Sequence, residues 1–220
     1  VPANWHPGIL AKFMALRSLS RDTGATPVVV TVDTVAEDLG RIDVPWIDAD
    51  GLPVSNKIRI FEASNDRPLG MQPALTLPDP NWPEGIFGPQ QPALAGLVGA
   101  IQRAQEDRSL ASQLMRARLD LGRAWTGRPT AIPASRLLQT PCGRWLIEAM
   151  ERDTARCIEA YNAAVSVDPD AGIPRLDPVV GELPLWDVRG DGYRTVRRQD
   201  LATASLLPKA LVTTAIMRLA

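Results

Sequence analysis

Residues 7–20, PGILAKFMALRSLS, and the run Thr26-Pro27-Val28-Val29-Val30-Thr31-Val32 that follows them decide the fold class. In the first stretch Ile9, Leu10, Phe13, Met14, Leu16 and Leu19 recur close to every 3.6 residues. Pro7 takes a first-turn position, where a missing N–H is tolerated. The spacing predicts an amphipathic helix. Asp22-Thr23-Gly24 ends it, and the β-branched run beyond is bounded by turn residues, as a buried strand is. A helix leading into a buried strand predicts an α/β protein with a parallel or mixed sheet.

Working outward, residues 33–56 carry Asp33, Glu37, Asp38, Asp43, Asp48 and Asp50 among Gly40, Pro45, Gly51 and Pro53, and read as a long acidic loop with room for one short strand. Lys57-Ile58-Arg59-Ile60-Phe61-Glu62-Ala63 alternates polar and apolar, the pattern of a half-buried strand. Residues 64–92 hold prolines at 68, 73, 78, 80, 83, 89 and 92, so an irregular surface connection is expected there. Helical spacing then runs from Ala93 to about Thr126 and again from about Gly143 to Val165. This gives a helical insertion, hairpin-like or coiled-coil-like, over 93–166, between the two parts of an incomplete α/β core at 1–92 and 167–220. Leu183–Val188 and Tyr193–Arg197 flank Asp191-Gly192, a hairpin signal. Ser205–Ala220 is apolar and reads as a closing helix. The chain begins at Val1 and stops inside that apolar segment with no helix-stop signal, so a longer natural protein is expected.

Composition narrows the function classes. The 220 residues are 45% hydrophobic with 24 Lys+Arg against 25 Asp+Glu, ordinary for a folded globular chain. A net charge of -1 supplies no broad basic field for a phosphate backbone, which argues against nucleic acid as the main partner. There is no run of eighteen apolar residues and no signal-peptide pattern, so no membrane partner and a cytoplasmic location are expected. Cys142 and Cys157 form no C-x-x-C pair, and one His cannot complete a zinc set, so two reduced thiols and no metal site are expected.

Three places could carry chemistry. Asn4-Trp5-His6-Pro7-Gly8 sets the only His just ahead of a helix start, where free N–H groups favour anions; the plainer alternative is that His6 caps the helix or packs on Trp5. Asp33, Glu37 and Asp38 follow the buried strand, and ligands of open α/β sheets sit beyond the carboxyl ends of strands; the alternative is a solvated acidic loop. Cys142, in Thr140-Pro141-Cys142-Gly143-Arg144, stands at a helix start that suits a nucleophile, but with a single His a structural thiol is the simpler reading. Cys157 reads as core. Arg189-Gly190-Asp191 is explained by the hairpin turn, and Arg194, Arg197 and Arg198 could bind a phosphate but read more simply as a solvent face.

Three stretches together, His6-Pro7-Gly8 entering a helix, Val28 to Asp38, and Leu207-Pro208-Lys209-Ala210-Leu211, resemble the bacillithiol synthase (putative cysteine ligase) family, in the same order as in its core domain. The resemblance implies a Rossmann-like core with a helical arm. It places His6 and Gly8 in a motif like the family's Gly-His-Gln-Pro-Gly, and Asp33, Glu37 and Asp38 in one like its Glu-Asp-His-Asp. Asn4-Trp5 stand where Gly and Gln are expected, and no His follows the acidic stretch.

Two functions follow. One is a ligase- or transferase-like enzyme acting on a small anionic or amino-bearing substrate, with His6, Asp33, Glu37 and Asp38 catalytic, Pro7 and Gly8 holding an anion or cofactor, and no cofactor named. The other is a non-catalytic binding or scaffolding domain, homo-oligomeric or completed by further segments of a longer chain.

Overall fold

A computed structural model of the chain describes residues 7–34, 40–64, 66–77, 90–171, 173–188, 194–198 and 206–208. The elements, in chain order, are α1 (Pro7–Thr23), β1 (Val28–Thr31), β2 (Arg41–Ile47), β3 (Pro53–Arg59), α2 (Gln90–Arg103), α3 (Leu110–Leu121), α4 (Arg123–Thr126), β4 (Thr130–Pro133), α5 (Ala134–Leu138), α6 (Pro141–Arg152), α7 (Thr154–Val167), β5 (Glu182–Val188), β6 (Arg194–Arg198) and β7 (Leu206–Pro208), with short 3-10 turns at Leu69–Met71 and Pro169–Ala171. The protein is therefore mixed α/β. Its described strands form three small sheets ordered β1-β4, β2-β3 and β6-β5-β7. None of the described helices is long and apolar enough to cross a membrane.

The described residues fall into two compact units, drawn from Val1–Val29, Ala36–Asn65 and Leu69–Ala131, and from Val30–Val35, Asp66–Pro68 and Ile132–Ala220. The dividing line passes through both β1 and β4.

In the first unit, α2 buries Leu94, Leu97, Val98 and Ile101 at i, i+3, i+4 and i+7, and α3 buries Leu110, Leu114 and Ala117 at i, i+4 and i+7, with Gln113 at i+3. α3 starts at Ser109, whose hydroxyl oxygen accepts from the Ser112 N–H. The described residues 66–77 of the Pro-rich connection hold only the 3-10 turn at Leu69–Met71, and they are pinned. The Gln113 side chain, fully buried on α3, accepts from the Leu75 N–H (2.7 Å) and donates to the Leu75 carbonyl (2.7 Å) and the Ile101 carbonyl (3.0 Å). Gln72 accepts from the Ser64 N–H and donates to the Ser64 carbonyl, both at 3.0 Å. In each case one amide gives an extended residue the two bonds that a neighbouring strand would supply.

The stretch expected to be an acidic loop holds β2 and β3, an antiparallel hairpin in the register Arg41↔Arg59 through Ile47↔Pro53. This is a correction, as is the strand start, which comes at Pro53 rather than Lys57. Asp48 organises the tip: its Oδ1 accepts from the Asp50 and Leu52 N–H groups, and Gly51 supplies the positive φ of 78°. The Ile60 N–H donates to the Gly40 carbonyl and the Asp48 N–H to the Leu52 carbonyl. Even-numbered positions of β2 are therefore the bonded pairs, and the backbone nitrogens of Pro45 and Pro53 point outward, where a missing donor breaks no rung of this hairpin.

In the second unit β5 lies between β6 and β7, antiparallel to both. The expected hairpin of β5 with β6 is present, its connecting Arg189–Tyr193 lying outside the described residues. Leu183 and Leu185 alternate along β5, are fully buried, and pack with Leu138, Ile147, Met150 and Cys157 from α5, α6 and α7. Burying each leucine contributes about 2 kcal/mol. A second cluster gathers Ile158, Tyr161 and Leu176. There the Asn162 side chain accepts from the Leu176 N–H (2.8 Å) and donates to its carbonyl (2.9 Å). The closing helix expected over Ser205–Ala220 is corrected where the chain is described: Leu206–Pro208 is a strand paired with β5. Pairing overrides the apolar helical pattern, and Pro208 is accommodated because β7 is an outer strand of its sheet.

Candidate functional site

β1 ends in Thr31, and Val32, Asp33 and Thr34 follow it, with Thr31, Asp33 and Thr34 all buried. β4 ends in Pro133 and runs directly into α5. Near the strand starts the Thr130 N–H donates to the Pro27 carbonyl (2.9 Å), and just past the strand ends Ser135 donates to Asp33. Offsets of 103 and 102 residues at the two ends mean that β1 and β4 run parallel, with their carboxyl ends at one edge.

Pro133 is the cap residue of α5 and makes no side-chain cap. Asp33 supplies it from across the ladder. Its Oδ1 accepts from the Ser135 N–H at 3.0 Å and its Oδ2 from the Ser135 hydroxyl at 2.5 Å. The Asp33 residue is only 5% exposed, and no ion pair joins it to a described residue. A carboxylate removed from water with no counter-charge is costly, and neutral donors offset that only in part.

Of the residues named from the sequence, His6, Glu37 and Asp38 lie outside the described residues. Pro7 and Gly8 open α1, at the position expected of them. Ser135 was not legible as a site residue: it lies 102 positions from Asp33 and follows a strand of only four residues, Thr130-Ala131-Ile132-Pro133.

No protein-family model and no curated protein matches the chain. The site therefore has to be read from its own residues.

Both cysteines are free. Cys142 is exposed at the second position of α6, after Thr140, whose hydroxyl oxygen accepts from the Gly143 N–H at 3.1 Å. Gly143 is required by close approach, since a Cβ there would sit 2.2 Å from the Leu137 carbonyl oxygen. Cys157 packs on the Leu183 and Leu185 cluster, where burial, then the charge of Asp153, pushes its thiol pKa up. A half-buried thiol held protonated in this way is a weak nucleophile. Among the described residues no group of three His, Cys, Asp or Glu could hold a metal ion. Arg194, Arg197 and Arg198 lie on β6, where Arg198 is opposite Glu182.

Proposed function

We propose that this chain is part of an α/β enzyme of Rossmann-like, bacillithiol-synthase-like type, a ligase or transferase acting on a small amino-bearing substrate, whose ammonium group is received by Asp33. One observation carries the reading: a buried carboxylate without a described counter-charge, standing just beyond the end of a strand in a parallel pair. That edge is where α/β sheets hold ligands. An ammonium group supplies the missing charge and three donors, and each Asp33 oxygen retains acceptor capacity beyond its bond to Ser135. The enzyme reading drawn from the sequence also names His6, Glu37 and Asp38 as catalytic, and Pro7 and Gly8 as holding an anion or cofactor.

The test is calorimetric titration of the full chain with a panel of nucleotides, amino acids and amino sugars. Wild type should bind an amine-bearing member, and Asp33→Asn, which removes the charge and keeps an acceptor oxygen, should bind it about tenfold or more weakly. Equal binding by Asp33→Asn would remove the assignment, and silence across the panel would remove the reading.

A scaffolding role is the second reading, favoured by the bare apolar side chains of Trp145 and Leu146 on α6 and of Ile47 and Leu52 at the hairpin tip. It predicts self-association that Trp145→Ser abolishes in sedimentation runs, and a monomer at all concentrations would count against it.

A further inference from the structure

We infer that the outer face of α6 docks on the same face of a second copy of this chain, the two helices antiparallel about a twofold axis at Leu146. This rests on the scaffolding role above and gives it a surface and a partner. α6 carries apolar side chains on two sides. Ile147 and Met150 pack inward on the Leu183 and Leu185 cluster. Cys142, Trp145 and Ala149 recur at i, i+3 and i+7 on the other, with Leu146 at one edge. Trp145 is 62% and Leu146 39% exposed, and Cys142 is exposed as well. A bulky ring with a small side chain one turn away on either side is a knob flanked by holes, the relief that a facing helix interlocks with.

The charges on the opposite edge of this stripe decide the occupant. Arg144 and Glu148 stand there one turn apart, both exposed. Neither forms an ion pair among the described residues. The Arg144 guanidinium donates to the Gln139 carbonyl at 2.6 Å and keeps its other donors. In a twofold contact, residue i meets j and j meets i. With the axis at Leu146, midway between the two charges, Arg144 of each copy comes opposite Glu148 of the other. A parallel contact in register would instead set arginine on arginine and glutamate on glutamate. The edge is thus complementary to itself in the antiparallel sense, and a net charge of -1 leaves little long-range repulsion between copies.

The experiment is sedimentation equilibrium of the full chain over a range of concentrations, with reductant present so that Cys142 forms no disulfide. Wild type should show a reversible monomer–dimer equilibrium. Arg144→Glu and Glu148→Arg each set like charges at both cross-contacts and should raise the dissociation constant about tenfold. The double variant Arg144→Glu/Glu148→Arg restores both pairs and should return to within about twofold of wild type. An equal mixture of the two single variants should associate more tightly than either alone, because the acidic edge of one then faces the basic edge of the other. That recovery also shows that the single variants remain folded. If wild type dimerises and the single variants do so equally well, or if neither the double variant nor the mixture recovers, the α6 pairing is overturned and the scaffolding role stands on another surface. If wild type stays monomeric throughout, both fall together.

Discussion

Gln113 in the first unit and Asn162 in the second do the same job at different depths. Each side-chain amide pairs with both backbone groups of one extended residue, Leu75 in one case and Leu176 in the other. Gln113 is fully buried and holds a third partner, the Ile101 carbonyl, whereas Asn162 is half-buried. The difference teaches that the energetic weight of such a clamp lies less in its bonds than in what its loss leaves behind. Gln113 binds the half-buried Leu75 twice and the buried Ile101 carbonyl once, whereas both bonds of Asn162 go to the buried Leu176, and an unpaired group carries its full desolvation penalty only where water does not reach it.

The comparison can be broken by substitution. Gln113→Ala should have the largest effect, destabilising the protein by about 3 to 5 kcal/mol, because it removes three bonds, one of them to the buried Ile101 carbonyl, and leaves a cavity where a fully buried side chain stood. Urea unfolding would measure it, and a loss near 1 kcal/mol would mean that water reaches the site. Asn162→Ala should cost about 1 to 2 kcal/mol in the same assay. If the two losses are equal, depth is not what separates the clamps.

A smaller effect is specific to the second unit. The pKa of Cys157 is pushed up by burial and then by Asp153, and that of Tyr161 by burial and then by Glu182. Both groups are held neutral in the folded state above the pH at which they ionise in the unfolded chain. Their contribution is thus full below the ordinary thiol value of 9.0 and is lost as pH rises through the raised folded values. Melting temperature should fall across that alkaline range, and Cys157→Ala, although less stable at neutral pH, should show a shallower fall. An unchanged slope in Cys157→Ala would assign the loss to Tyr161.

Much of the backbone was legible in the sequence, and the reasons are local. β1 shows in its Val-Val-Val-Thr run, α1 in its 3.6 spacing, and β5 in the alternation of Leu183 and Leu185. The hairpin of β2 and β3 was not legible, because Asp43, Asp48, Pro45 and Pro53 read as loop until the register shows which way the proline nitrogens face. β7 was missed because its identity comes from pairing with β5, at 20 or so residues' remove. The candidate site was legible by half. Asp33 stood out as a carboxylate beyond the Val28–Thr31 strand, which was expected to be buried but is buried only at Thr31, whereas Ser135 and the partners of Gln113 are set by tertiary folding across 102 and 38 positions, and no local pattern carries them.

The two outward prolines of the β2 and β3 hairpin have a consequence for the protein in a crowded solution. Among the described residues no third strand pairs with this hairpin, and unpaired strand rims invite other chains to zip on and start fibres. Here each rim has one donor missing, at Pro45 on one side and Pro53 on the other. A foreign strand meets an interrupted template whichever side it approaches. The prolines that hid this hairpin from sequence reading each take one donor out of its rims.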